Sequence, residues 1–458
     1  MKRFRTAVIV LGVLVLATVW GLAYLFTDDL VPGDTDVFPV RAPIPDEENG
    51  YDLFTDAAEN AWPSPLPIAS EFQAFGEKAD LVLDVLSRRV WDDEVAAGIL
   101  EQNAEVLALY DAGMARPHLQ FPEDMGLAPL VDASAFGWAR LMDVVALRAA
   151  RLGAQGDEEA AFAEALCLLE FGHRIEHGQG HLTAYLRGPC AKGEALRLLR
   201  DLAGRTSVGS GQLKAHARRV AAYRVDPEAL ADAFRCEHER LAHAAGAIKR
   251  GEIDCLLNPT EHVGRAAGQF CAYLIQPNRT RRMAAAAFRT YIDNVPRHYA
   301  DIVPVNHPVP DPLRLRDLLS PNAFGRLLYG FAQGLESALE LKCCENVDVG
   351  ATGALLAMRA FKAENGRLPR TLDELVPDYL DAVPVDDFDG SPLRYSPEKR
   401  ALYSVGSDLA DGGGASKAEW LQDERREYEE RGEPFDGASA EADLEPWDLP
   451  DPSFPIEF

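Results

Sequence analysis

RLGAQGDEEAAFAEALCLLEF, residues 151–171, carries the end of one helix and the start of the next. Gly153 and Gly156 weaken helix, because glycine gives up the most backbone freedom on ordering. Asp157 can accept hydrogen bonds from the exposed amides of a new helix, with Glu158 and Glu159 at its positive end. Phe162, Leu166 and Leu169 then fall on one face. Upstream, Trp138, Leu141, Val145 and Leu152 form a matching stripe. The stretch predicts a helical hairpin, and hence a mainly α fold.

The same periodicity extends in both directions. Phe72, Phe75, Ala79, Leu83, Leu86 and Val90 step by three or four, and Val95, Ile99, Val106 and Tyr110 mark a further helix. Residues 194–204, 212–223, 227–250 and 281–299 are rich in Ala, Leu and Arg, with few β-branched runs. No period of about 34 residues accompanies the hairpin, which makes it a single unit instead of a repeat array. These segments define an all-α domain over residues 70–315, closed by Pro304, Pro308, Pro310 and Pro312. Residues 319–365 return to helix and stop at Asn365-Gly366, before Pro369. Thr371-Leu-Asp-Glu374 has the pattern of a capping box. Pro392–Ser396 and Ala401–Val405 read as two strands joined by residues 397–400. Residues 319–415 are thus expected to form a small α+β domain. Residues 416–458 read as an acidic tail: from Glu419 onward 14 Asp and Glu stand against 3 Arg, too little apolar surface to offset the entropy of ordering. Trp447 and Phe454 are its candidate partner anchors. Residues 27–67, rich in Pro and Asp, read as a tether with one short helix over Tyr51 to Asn60.

The chain opens with Lys2, Arg3 and Arg5, then runs uncharged from Ala7 to Phe26. Twenty residues of helix span about 30 Å, the thickness of a bilayer core. The flanking charges predict a cytoplasmic N-terminus over residues 1–6, a transmembrane anchor over residues 7–26 and an extracytoplasmic body. A cleaved signal peptide shares the basic start and apolar run. The length of the run and the bulky residues at its end favour the uncleaved anchor. With 46 basic against 73 acidic residues the net charge is -27, a field that repels phosphate backbones, so nucleic acid is not an expected partner. The 7 cysteines cannot all pair within the chain, and Cys343-Cys344 reads as two thiols on a helix.

At the C-terminal domain, "ALLAMRAFKAENGRLPRTLDELVP", "VPVDDFDGSPLRY" and "LYSVGSDLADGGG" follow in order over residues 354–414. This order resembles the major, G-type pseudopilin of bacterial type II secretion. In that family a long helix ends in a stop, a loop follows, and a final hairpin leads into a glycine-rich turn. The resemblance implies a pseudopilin-like head and a calcium ion in the last loop, with Asp408 and Asp411 as the side-chain ligands. The whole chain is similar to membrane-tethered bacterial proteins carrying that domain after a helical region.

Other chemistry is weaker. His173, His177 and His181 share a spacing of four, but Gly178 and Gly180 interrupt the helix, so a polar helix end is expected instead of a metal site. His238-Glu239 and His243 miss the H-E-x-x-H zinc spacing by one residue, which turns the rings about 140° apart. Gly209 to Lys214 reads as a loop between helices, and Asp386 and Asp387 as turn or packing residues. The expectation is a non-enzymatic protein of the inner membrane, single-pass with a periplasmic body. It would act structurally or in docking, with secretion or envelope proteins as partners. The alternatives are a module binding a peptide or envelope component, and a hydrolase of unrecognised type.

Overall fold

The computed structural model describes residues 27–63, 78–122, 135–252, 272–307, 321–330, 334–415, 417–432 and 451–458. Among these no helix is long and apolar enough to cross a membrane. The expected anchor, residues 7–26, lies outside the described residues, as do Trp447, Cys255 and Cys271.

The helices follow as α1 (Tyr51–Asn60), α2 (Lys78–Leu86), α3 (Asp93–Gln102), α4 (Ala104–Met114) and α5 (Ala135–Ala154). Then come α6 (Glu158–Glu176), α7 (Arg187–Arg205), α8 (Ser210–Ala221), α9 (Pro227–Lys249) and α10 (Pro277–Asn294). The last are α11 (Ala323–Gly330), α12 (Ser337–Asn365) and α13 (Lys417–Arg431). The predicted hairpin is α5–α6. Asp157 caps α6, its carboxylate accepting from the Ala160 amide at 3.2 Å. Phe162, Leu166 and Leu169 are buried beneath it. An aromatic cluster fixes the hairpin to α1 and α4: Trp138 stacks on Phe171, and Phe54 packs 4.7 Å from Phe171 and 6.0 Å from Tyr110.

One apolar core runs from Phe54 on α1 through α5–α8 and α12 to Phe454 and Ile456. A second joins Val37 to Leu230, Phe234, Phe288, Tyr291 and Tyr329 on α9–α11, and reaches Leu339 at the start of α12. The expected division between residues 315 and 319 is therefore not a break in packing. Val347, Leu355 and Met358 of α12 share a core with Leu196 and Leu199 of α7 and with Leu213 and Val220 of α8.

The head is a three-stranded antiparallel sheet in order β1 (Arg394–Ser396), β2 (Ala401–Tyr403), β3 (Ser453–Pro455). The β1–β2 hairpin falls where the sequence puts it. α12 stops at Gly366, whose φ of +69° suits glycine.

Three expectations change. The acidic tail is helical over α13 and returns as β3: Leu402 pairs with Phe454, and Phe454 is 0% exposed. Strand β2 offers an edge, and the apolar Phe454-Pro-Ile456 is long enough to fill it, so Phe454 anchors its own core instead of a partner. The tether is not free either, because its acidic residues are fixed on α10, as described below. The capping box does not form. Leu372–Leu375 is a four-residue 3-10 turn without a Thr371 side-chain cap, and Glu374 accepts instead from the Arg370 amide and from Arg367.

Candidate functional site

α6 and α7 touch backbone to backbone. A Cβ on Gly172 would lie 2.6 Å from the Gly188 carbonyl, and one on Gly188 would lie 2.7 Å from the Gly172 carbonyl. This approach brings Lys192, fully buried, against the last turn of α6. Its Nζ donates to Glu176 Oε2 at 2.5 Å, to Glu345 Oε1 of α12 at 2.6 Å and to the Tyr223 carbonyl at 3.1 Å. The Lys192 and Glu176 side chains are 0% exposed and that of Glu345 is 5%. Burial alone would lower the Lys192 pKa, but the Glu345 and Glu176 carboxylates outweigh it and raise it. Burial and the Glu345 carboxylate push Glu176 well above the ordinary carboxylate range, and Lys192 offsets only part of that. Two carboxylates share one ammonium, leaving one net negative charge in a dry interior. That charge calls for a proton or a cation.

The network reaches the surface through two histidines of the same helix end. His173 and His177 have ring centroids 4.2 Å apart and side chains 30% and 38% exposed. His177 Nδ1 lies 2.9 Å from the His173 carbonyl, and Nε2 lies 3.0 Å from Asp226 Oδ2. Asp226 also caps α9 through the Glu228 amide. Burial, with His177 and Lys192 nearby, pushes the His173 imidazole down to about 4. His173, Glu176 and His177 each offer a ligand atom, all within 4.8 Å of one another. Sequence reading noted the histidines but sought its third ligand at His181, beyond the helix break. It missed Glu176, Lys192 and Glu345. The available signal was the i, i+3, i+4 spacing; nothing marks Lys192 out among the four arginines of α7.

No family model, no curated protein and no solved structure matches the chain.

The expected calcium loop is built otherwise. Asp408 and Asp411 are exposed. Asp408 Oδ1 accepts from the Ala410 amide at 2.9 Å and Asp411 Oδ1 from the Gly413 amide at 3.0 Å. Asp411 Oδ2 pairs with Arg394 Nε at 3.2 Å, and Arg394 also serves Asp386 and Asp389. The Gly412 and Gly414 amides both donate to the buried Asp451 beside β3. The loop thus turns amides toward a carboxylate, and a guanidinium already supplies positive charge to Asp411. Calcium needs six to eight oxygen ligands. This arrangement does not fit it.

The remaining candidates have packing roles. Asp386 accepts from the Phe388 and Val405 amides, Ser404 and Arg394. Asp387 meets His298, Lys342 and Asn346. His238 is buried edge-on between Phe38 and Phe288 and lies 3.2 Å from Asp34 Oδ2, while His243 is exposed. The two rings diverge as the i+5 spacing requires. Ser210 to Lys214 is not loop but the first turn of α8. Cys343 and Cys344 are free thiols on α12.

Proposed function

We propose that the chain is a membrane-tethered, non-enzymatic structural or docking protein of the bacterial envelope. Its body lies on the periplasmic side of the inner membrane and serves envelope assembly or protein export. The observation that carries this reading is the clamp immediately after the apolar run. Asp28 accepts from the Asn278 and Arg279 amides at 3.0 and 3.1 Å, at the positive end of α10. Asp29 pairs with Arg279 and Arg282. Asp34, 1% exposed, pairs with Arg281 at 2.7 Å, and Asp36 pairs with Arg289 at 2.6 Å. Arg41 closes the series on Glu239 at 2.6 Å.

The apolar run ends at Phe26 in the sequence, and by Asp28 the chain is already bonded to the start of α10. A flexible linker would let the body rotate freely above the lipid; a short, bonded junction supports a body that keeps one face toward it, as a docking platform requires. The pseudopilin-like reading of the head is supported by the order of long helix, glycine stop and antiparallel hairpin. Affinity isolation from crosslinked membranes tests the assignment: enrichment of secretion or envelope-assembly subunits is expected, and their consistent absence refutes it.

A further inference from the structure

We propose that His173, Glu176 and His177 bind a divalent transition metal of the zinc class. The three stand at i, i+3 and i+4 in the last turn of α6 and its cap, on one face of one helix. Zinc takes imidazole nitrogen and carboxylate oxygen at about 2.0–2.1 Å, so two ligands at a tetrahedral angle lie about 3.4 Å apart. His173 Nδ1 and Glu176 Oε2 are 3.9 Å apart, too far for a hydrogen bond and close to that spacing. Small rotations of the half-exposed histidine rings complete the closure.

Two independent observations point to a cation here. His173 Nδ1 is buried and has no hydrogen-bond partner in the protein, and the same holds for Glu176 Oε1 on a side chain that is 0% exposed. Glu176 and Glu345 also share the single Lys192 ammonium with almost no solvent, and the carbonyl end of α6 adds partial negative charge beside them. Lys192 does not fill the gap, since its three donors are spent on Glu176 Oε2, Glu345 Oε1 and the Tyr223 carbonyl.

The surroundings have the form of a metal site's outer partners. His177 Nδ1 and Nε2 face the His173 carbonyl and Asp226, both acceptors, so the metal takes the place of one of these two partners while the other orients the ring. Lys192 holds Glu176 through Oε2. The exposed edges of His173 and His177 provide the entry path and leave room for a water as fourth ligand. Imidazole and carboxylate together select zinc, cobalt or nickel over calcium or magnesium. His181 lies beyond the end of α6. Glu176 takes the third place without it.

The test uses the full-length protein in mild detergent, stripped with a chelator and titrated with cobalt(II) or zinc. One equivalent is expected, with a cobalt spectrum of nitrogen and oxygen ligation. His173→Ala and His177→Ala should each weaken binding by about 10- to 100-fold or more, and His243→Ala, exposed and about 25 Å along α9 from the Asp226 cap, should leave it unchanged. A readout on the unaltered chain guards against misfolded variants: zinc should protect His173 and His177, but not the exposed His243, from diethylpyrocarbonate, as read by mass spectrometry. Absence of stoichiometric metal, or equal modification of His173 and His177 with and without zinc, overturns the proposal. The outcome does not depend on which side of a membrane the body occupies.

Discussion

Replacing Lys192 with Met removes the only ammonium between Glu176 and Glu345 while keeping the volume nearly constant. Breaking a buried ion pair from one side costs about 3–5 kcal/mol, because the remaining charge is left without a partner. Lys192 bonds two carboxylates and a carbonyl, all at 3.1 Å or less, so the upper part of that range is expected near pH 8. The loss should shrink as the pH falls. Glu176 already has a folded-state pKa raised above its unfolded value of 4.5, so its protonated form contributes stability below 4.5 that is lost as the pH rises through the folded value. Without Lys192 the folded value rises further, and the variant falls away from the parent as the solution becomes more alkaline. Urea denaturation followed by tryptophan fluorescence at pH 5.5 and pH 8 measures this, with Trp138 stacked on α6 as a reporter. The triple change Lys192→Met, Glu176→Met, Glu345→Met should recover most of the loss, since an apolar replacement of a whole buried ionic group is often neutral. A loss below about 1 kcal/mol at pH 8, or one that is equal at both pH values, would refute the reasoning.

Three further outcomes are expected. Phe454→Ala should cost about 3–4 kcal/mol in the same denaturation experiment, because the side chain is 0% exposed in the main core; a negligible cost would return the C-terminus to the status of a tail. Asp34→Asn should cost about 2–3 kcal/mol by removing the buried partner of Arg281 and His238, and limited proteolysis should then cut residues 27–41 before the body unfolds. Burial, opposed by Arg140, pushes Asp143 up to about 6, so its protonated form contributes stability below pH 3.8 that is lost as the pH rises through about 6. Asp143→Asn should therefore gain about 1 kcal/mol at pH 7, discounted for a side chain 33% exposed, and nothing at pH 4.

Local signals carried much of the architecture. Asp157 and the glycines before it marked the α5–α6 hairpin, Asn365-Gly366 marked the end of α12, and the short helix at Tyr51–Asn60 and the β1–β2 hairpin stood where their residues put them. What stayed hidden depends on contacts distant in sequence. The partner of Asp34 is Arg281, and that of Lys192 includes Glu345; no periodicity announces such pairs. Composition misled at the C-terminus, where an average over many acidic residues masked three apolar ones that complete a sheet. At the candidate metal site α6 does end before Gly178 and Gly180, but nothing local distinguishes the Glu176 carboxylate from the other acidic residues of that helix. The glycine pair that lets α6 meet α7, Gly172 and Gly188, is unremarkable in the sequence and acquires meaning only when the two helices are seen in contact.

The most direct measurement of the central claim is protease accessibility of a C-terminal tag on the full chain in intact spheroplasts. Digestion from outside, with a cytoplasmic control protein untouched, is the result predicted for a body clamped to the outer side of the inner membrane. A tag that resists digestion until the cells are lysed, and is then cut at once, would contradict it.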